Sequence, residues 1–242
     1  MLNKNQFSKP LIYIALIAYI ILSYVALGSG NQVLVATIPE DHYFESVGAL
    51  SFFVSSVLFF FAFLRARKVQ GQNKVFWIKQ WVCLGLSFFF FFGAGEEISW
   101  GQRIFNVETP ESINTINDQG EITVHNLSFG GVNIPFETMF DLFWMSFVVA
   151  IPIAVIFIKP FGRFVGKFVP IIHWAIGLLF VFNYLWAKIA KIIYFSSYNL
   201  ELIPFRQAVQ EVKEGNYGVL FVLVALFVFV DMISLDKKDV QH

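Results

Sequence analysis

One cysteine in 242 residues, Cys83, leaves no partner for an intrachain disulfide and no CxxC pair for metal or redox chemistry. Charge is also scarce. Asp, Glu, Lys and Arg make up 14% of the chain, against about one quarter in an ordinary soluble domain. The 17 basic and 17 acidic residues cancel, so no global charge invites nucleic acid, and the sequence has no basic block or RNA-type aromatic motif. A GxSxG elbow, an HExxH pair, a Walker loop and a GxGxxG fingerprint are all missing, and "SFGG" (Ser128 to Gly131) is too short for a phosphate loop.

What the chain has instead is apolar mass. Hydrophobic residues make up 57% of it, 31 of them phenylalanine, and the mean hydropathy is +0.66. That is more than one soluble core of this size can hide, and bilayer is the natural solvent. Six apolar runs, at about 10–28, 45–65, 76–101, 138–159, 168–190 and 217–235, approach the roughly 20 helical residues that cross about 30 Å of hydrocarbon. The runs are continuous rather than alternating, and in lipid each backbone donor must be satisfied within its own segment, so helices are predicted. The expected fold is all-α, one integral-membrane domain over 1–242 without internal repeat or low-complexity linker. Lys4, Lys9 and the "ALGSG" after the first run (Ala26 to Gly30) mimic a cleavable signal. The run is long for that role, and a retained signal anchor is predicted.

With the N-terminus in the cytoplasm and six alternating spans, both termini lie inside. Twelve of the seventeen basic residues then fall there: Lys4, Lys9, Arg65, Arg67, Lys68, Lys74, Lys79, Lys159, Arg163, Lys167, Lys237 and Lys238. This is the distribution the positive-inside rule requires. Acidic residues show the reverse skew, with all but Asp231, Asp236 and Asp239 in outer loops or at outer helix ends. Acids contribute little to topogenesis, so insertion alone does not account for the skew: either acids occupy positions closed to lysine, or they mark a polar site on the outer face. Two outer connections are long, 102–137 and 191–216. The second reads as a loop followed by an amphipathic helix feeding the last span.

The candidate chemistry begins with "GAGEEISWGQR" (Gly93 to Arg103), directly after Phe88 to Phe92. A carboxylate costs about 2.5–3.5 kcal/mol at the bilayer centre and less near the interface. A continuing helix would set Glu96, Trp100 and Arg103 on one face and Glu97 beside Gly93 and Gly101, where glycines admit a neighbouring helix. Glu97 is therefore predicted to point into the bundle, and Glu96 to pair with Ser99, Arg103 or a neighbour. The alternative is an interfacial salt bridge with Trp100 as a belt anchor. His125 gains interest from its company, Asn117, Gln119, Glu121 and Asn126, because histidine is both a metal ligand and a proton carrier near neutral pH. Glu45 opens the second span, where the helix dipole alone accounts for one acid. Glu211 and Glu214 read as a solvated helix face before the last span. His173 and Asn183 read as interhelical hydrogen-bonding groups.

"GEEISWGQRIF", then "TPE" (Thr109 to Glu111), "NDQGE" (Asn117 to Glu121) and "HN" (His125, Asn126), resembles the signature of a family of uncharacterised bacterial polytopic inner-membrane proteins. The resemblance covers Gly93 to Asn126; Glu40, Asp41 and Glu45 before the second span are similar to the pattern too, and elsewhere the likeness is mainly hydropathy. It implies that Glu96, Glu97, Ser99, Trp100, Gln102, Arg103, Asn117, Gln119, Glu121, His125 and Asn126 form one outer-face site, and it implies no activity. Three functions are compatible with these residues. One is a membrane enzyme acting on a lipid-type substrate, with Glu96, Glu97 and His125 catalytic and a divalent metal on Glu45, Glu97 and His125. The second is a transporter or channel with an acidic outer vestibule, although the spans show neither paired Gly/Pro interruptions nor an inverted repeat. The third is a structural or accessory subunit.

Overall fold

The computed structural model describes residues 10–27, 43–69, 74–117, 120, 122–124, 127–129, 132–133, 135–197 and 202–239. Among them, six helices are long and apolar enough to cross a membrane: α1 (Pro10–Leu27), α2 (Tyr43–Val69), α3 (Lys74–Glu97), α4 (Phe136–Phe157), α5 (Trp174–Ser197) and α6 (Leu202–Asp239). The polytopic helical bundle expected from hydropathy is the fold.

α2 lies between α3 and α6 and makes the two most extensive helix pairings. The α2–α6 seam is lined by small residues. A side-chain carbon on Gly218 would stand 3.1 Å from Ser51 and 3.2 Å from Gly48, so the two backbones nearly touch, as close-packed membrane helices do. α5 packs on α6, α1 on both, and α4 on α5. α3 joins the bundle chiefly through α2, and across from α4 only side chains bridge the space, as in Phe89–Phe143 at 4.7 Å between ring centres. Phe59, Phe90, Phe180 and Phe221 are wholly or almost wholly buried, and Phe221 meets Phe90 at 4.7 Å and Phe180 at 4.8 Å. Of the five consecutive phenylalanines, Phe90 alone turns into this core. Phe88, Phe89, Phe91 and Phe92 are exposed.

α4 is not a uniform helix. Pro152 has no N–H to return to the Val148 carbonyl, and the six residues Met145–Ala150 before it widen into a π-helical turn. π-bulges of this kind are a known response to a disrupted ladder.

The helix ends depart from expectation in three places. The third span stops at Glu97, not 101, because Ser99, Trp100 and Gly101 take positive φ of 46°, 54° and 75°. The fifth begins at Trp174 rather than 168 and continues to Ser197. The sixth begins at Leu202 rather than 217, because the amphipathic helix expected within 191–216 continues into it without a break, 38 residues in all. The amphipathic segment and the sixth span are one rod.

A polar knot ties α1, α5 and α6 together inside the apolar core. Tyr24 Oη donates to Asn183 Oδ1 (3.0 Å), Asn216 Nδ2 donates to the same oxygen (3.1 Å) and to Ser23 Oγ (2.9 Å), and Asn183 Nδ2 donates to the Lys213 carbonyl (3.0 Å). Asn183 is thus the interhelical group expected, and α1 is integral to the packing. His173 lies just before α5, where its Nδ1 accepts from the Ala175 amide at 3.4 Å. Intramembrane hydrogen bonds average about 0.6 kcal/mol. Asn183→Leu removes three and is expected to cost about 2 kcal/mol, read as a lower unfolding midpoint in detergent.

Candidate functional site

The two adjacent glutamates at the end of α3 have different surroundings. Glu96 is 7% exposed and satisfied on both oxygens: Trp100 Nε1 donates to Oε1 at 2.6 Å and the Val124 amide to Oε2 at 2.7 Å. The left-handed turn at Ser99–Gly101, not helical spacing, brings the indole back to Glu96. Gly95 is needed for this return, because a side-chain carbon there would lie 2.7 Å from the Trp100 ring.

The rest of the motif extends the same scaffold. Gln102 donates to Thr109 Oγ1 and accepts from the Ile122 amide at 2.7 Å. Thr109 Oγ1 donates to the Gly120 carbonyl at 2.6 Å, and Asn117 Nδ2 to the Thr123 carbonyl at 2.8 Å. Ser99, Asn117 and Thr123 are buried. A bridge between Asn117 and Leu127 and a two-residue hairpin, Ser128–Phe129 against Val132–Asn133, complete the loop. In physical terms, Glu96, Gln102 and Asn117 use buried or half-buried side chains to satisfy backbone groups of Val124, Ile122 and Thr123 that have no helix to pair with, and Trp100 steadies Glu96. Glu96, expected to be catalytic, is an anchor whose acceptor capacity is already engaged. Gln119, Glu121, His125 and Asn126, together with the side chain of Arg103, lie outside the described residues.

Glu97 faces inward. Its Oε2 comes within 3.4 Å of where a side-chain carbon on Gly48 of α2 would stand. Glu214, Glu211, Glu45 and Glu96 all act electrostatically upon it, so acids from α2, α3 and α6 share one end of the bundle. Glu211 and Glu214 are half-buried rather than a solvated face. Among the described residues no group of three or more His, Cys, Asp and Glu side chains is arranged to hold a metal ion. His125, the third member of the expected Glu45, Glu97 and His125 metal set, lies outside the described residues, and no step is assigned to a metal.

Beside Glu97 lies a cavity of about 710 Å³ between α3, α4 and α6, within the roughly 300–1,000 Å³ that small-molecule sites occupy. One wall is aromatic, with Phe52, Phe89, Phe90, Phe92, Phe140 and Phe143; the other carries Glu96, Glu97, Glu137, Asp141, Lys213 and Glu214, with Tyr217 also contributing. Most of these charges are matched. Lys213 Nζ pairs with Glu137 Oε1 at 2.7 Å, Asp141 accepts from Trp144 Nε1 at 2.8 Å, and Glu214 accepts from Gln210. Glu97 has no hydrogen-bond or ion-pair partner among the described residues. Tyr217 is wholly buried and its hydroxyl also lacks a partner there.

The sequence reading missed Lys213, Tyr217 and the aromatic wall. Gly215 and Gly218 held the available signal. They mark the part of α6 that approaches α2, and Lys213, Glu214 and Tyr217 sit among them.

No protein-family model, no curated protein and no solved structure matches the chain.

Proposed function

We propose that this is a multi-pass protein of the bacterial inner membrane that binds a lipid-type amphiphile in the cavity between α3, α4 and α6, on the face away from the cytoplasm, with Glu97 as the acid/base group acting on it. One observation carries the reading: a single cavity joins a phenylalanine wall to a carboxylate that has no partner among the described residues. Ligand sites combine a mostly apolar lining with a few convergent polar groups in this way. An intramembrane carboxylate is costly enough to be a functional group by default. Glu97 is the side chain there with acceptor capacity to spare, so it is the group that takes or returns a proton when the bound headgroup reacts.

Transport is the weaker reading. Phe59, Phe90, Phe180 and Phe221 fill the bundle beside the carboxylates, so a solute entering the cavity meets packed rings rather than a path. An architectural role fits Glu96, Gln102 and Asn117, whose bonds are all within the loop, but it leaves the cavity without a purpose.

Occupancy and chemistry separate experimentally. Thr138 lines the cavity and is exposed. Thr138→Trp is expected to reduce retention of co-purifying lipid at least tenfold, by native mass spectrometry of protein in nanodiscs. Glu97→Gln is expected to abolish conversion per bound lipid molecule, followed by mass analysis of the incubated lipid pool. Equal lipid retention in wild type and Thr138→Trp would overturn the reading.

A further inference from the structure

The cavity's charges define the headgroup as well as the site. Five of its lining side chains are acids and one is a lysine. Lys213, the only cation in that lining, is 6% exposed and committed to Glu137. Among the described lining residues a phosphate or carboxylate head would find no uncommitted cation and would face a surplus of carboxylates, and like charges brought together in a poorly solvated site repel strongly. Glu97, by contrast, has no partner among the described residues and is crowded by the carboxylates of Glu214, Glu211, Glu45 and Glu96, and a cation brought beside these acids relieves their mutual repulsion.

The second requirement comes from α6. The Tyr217 ring is fixed on three sides, against Phe180 at 5.6 Å, Trp144 at 5.3 Å and Phe140 at 6.0 Å, so its hydroxyl cannot swing away to find water. Tyr217 is among the residues lining the same cavity, and its hydroxyl is buried without a partner among the described residues. An ammonium group offers three donors on a compact charge, as a lysine head does, and satisfies a carboxylate and a hydroxyl oxygen together. A neutral alcohol offers one donor, and a phosphate monoanion offers mainly acceptors.

Building on the lipid-binding reading, we propose that the cavity selects an amphiphile with a cationic amine head, held by Glu97 and Tyr217, its alkyl chain lying along Phe89, Phe92 and Phe143. The chain enters sideways from the membrane, where α3 and α4 face each other through side chains alone. Aromatic faces near the head favour a cation further.

Dodecylamine, dodecanol and dodecyl phosphate share a tail and differ in head, and their affinities for the full-length protein in nanodiscs test the assignment. Dodecylamine is expected to bind at least tenfold more tightly than the other two. Glu97→Gln should bring it down to the level of dodecanol, and Tyr217→Phe should weaken it several-fold. A wild-type unfolding midpoint in detergent serves as the check that each variant is folded. If dodecanol or dodecyl phosphate equals or exceeds dodecylamine in the wild type, the amine assignment is wrong and the lipid site stands. If all three bind wild type no better than they bind Thr138→Trp, the lipid site itself is wrong.

Discussion

Glu96→Ala is expected to destabilise the protein by about 3–6 kcal/mol, since hydrogen bonds to a charged acceptor are worth about 1.5–3 kcal/mol each and this carboxylate accepts two. The Val124 amide would lose its acceptor, and the Trp100 indole would no longer be tied to the end of α3. Glu96→Gln keeps one carbonyl oxygen but turns an NH₂ toward the other donor, so about half the loss is expected. Unfolding midpoints in detergent measure the effect. Limited proteolysis locates it, because cleavage should appear first between Ile104 and Asn133 while the six spans stay intact. A Glu96→Ala protein with wild-type stability and a protease-resistant loop would show that the carboxylate does not hold the loop.

Gly177→Val carries the second large effect. A side-chain carbon at Gly177 would stand 2.5 Å from the Val148 carbonyl oxygen, a backbone atom in the π-turn of α4 that cannot rotate aside. α5 must withdraw from α4, and overpacking of this kind typically costs 1–3 kcal/mol, so a loss of about 3 kcal/mol is expected. Gly85 provides the control within the same protein. Nothing lies within 4 Å of its missing side chain, so Gly85→Ala should be neutral or stabilise by up to about 1 kcal/mol through helix propensity alone. Similar unfolding midpoints for the two variants would mean that the α4–α5 approach is looser than described.

Hydropathy made the six spans legible because lipid demands continuous apolar helices and tolerates little else. It could not place their ends. The third span stops where Ser99 and Trp100 turn left-handed, and an α-helical period carried through them puts Trp100 on the correct partner, Glu96, for the wrong reason. The sixth extends far beyond its apolar stretch, because Gln210, Lys213 and Glu214 find partners in Glu137 and one another. The motif Gly93 to Arg103 was visible as unusual, but spacing alone did not separate the two glutamates. One satisfies a loop 28 residues away in sequence, and the other faces a cavity whose walls come from four helices. Contacts of that range are set by tertiary packing, which a single sequence read locally does not contain.

The knot between the first and last spans also has a cost in time. Ser23 and Asn216 are separated by 193 residues, and a ribosome working at roughly 5–20 residues per second needs about 10–40 s to make that length. Throughout that interval α1 waits in the bilayer with the Ser23 hydroxyl not yet joined to Asn216, and for most of it the Tyr24 hydroxyl also lacks Asn183, 159 residues on. The newborn chain is least secure just before it is finished, and a ribosome stalled ahead of α6 would strand an incomplete bundle for quality-control proteases to remove.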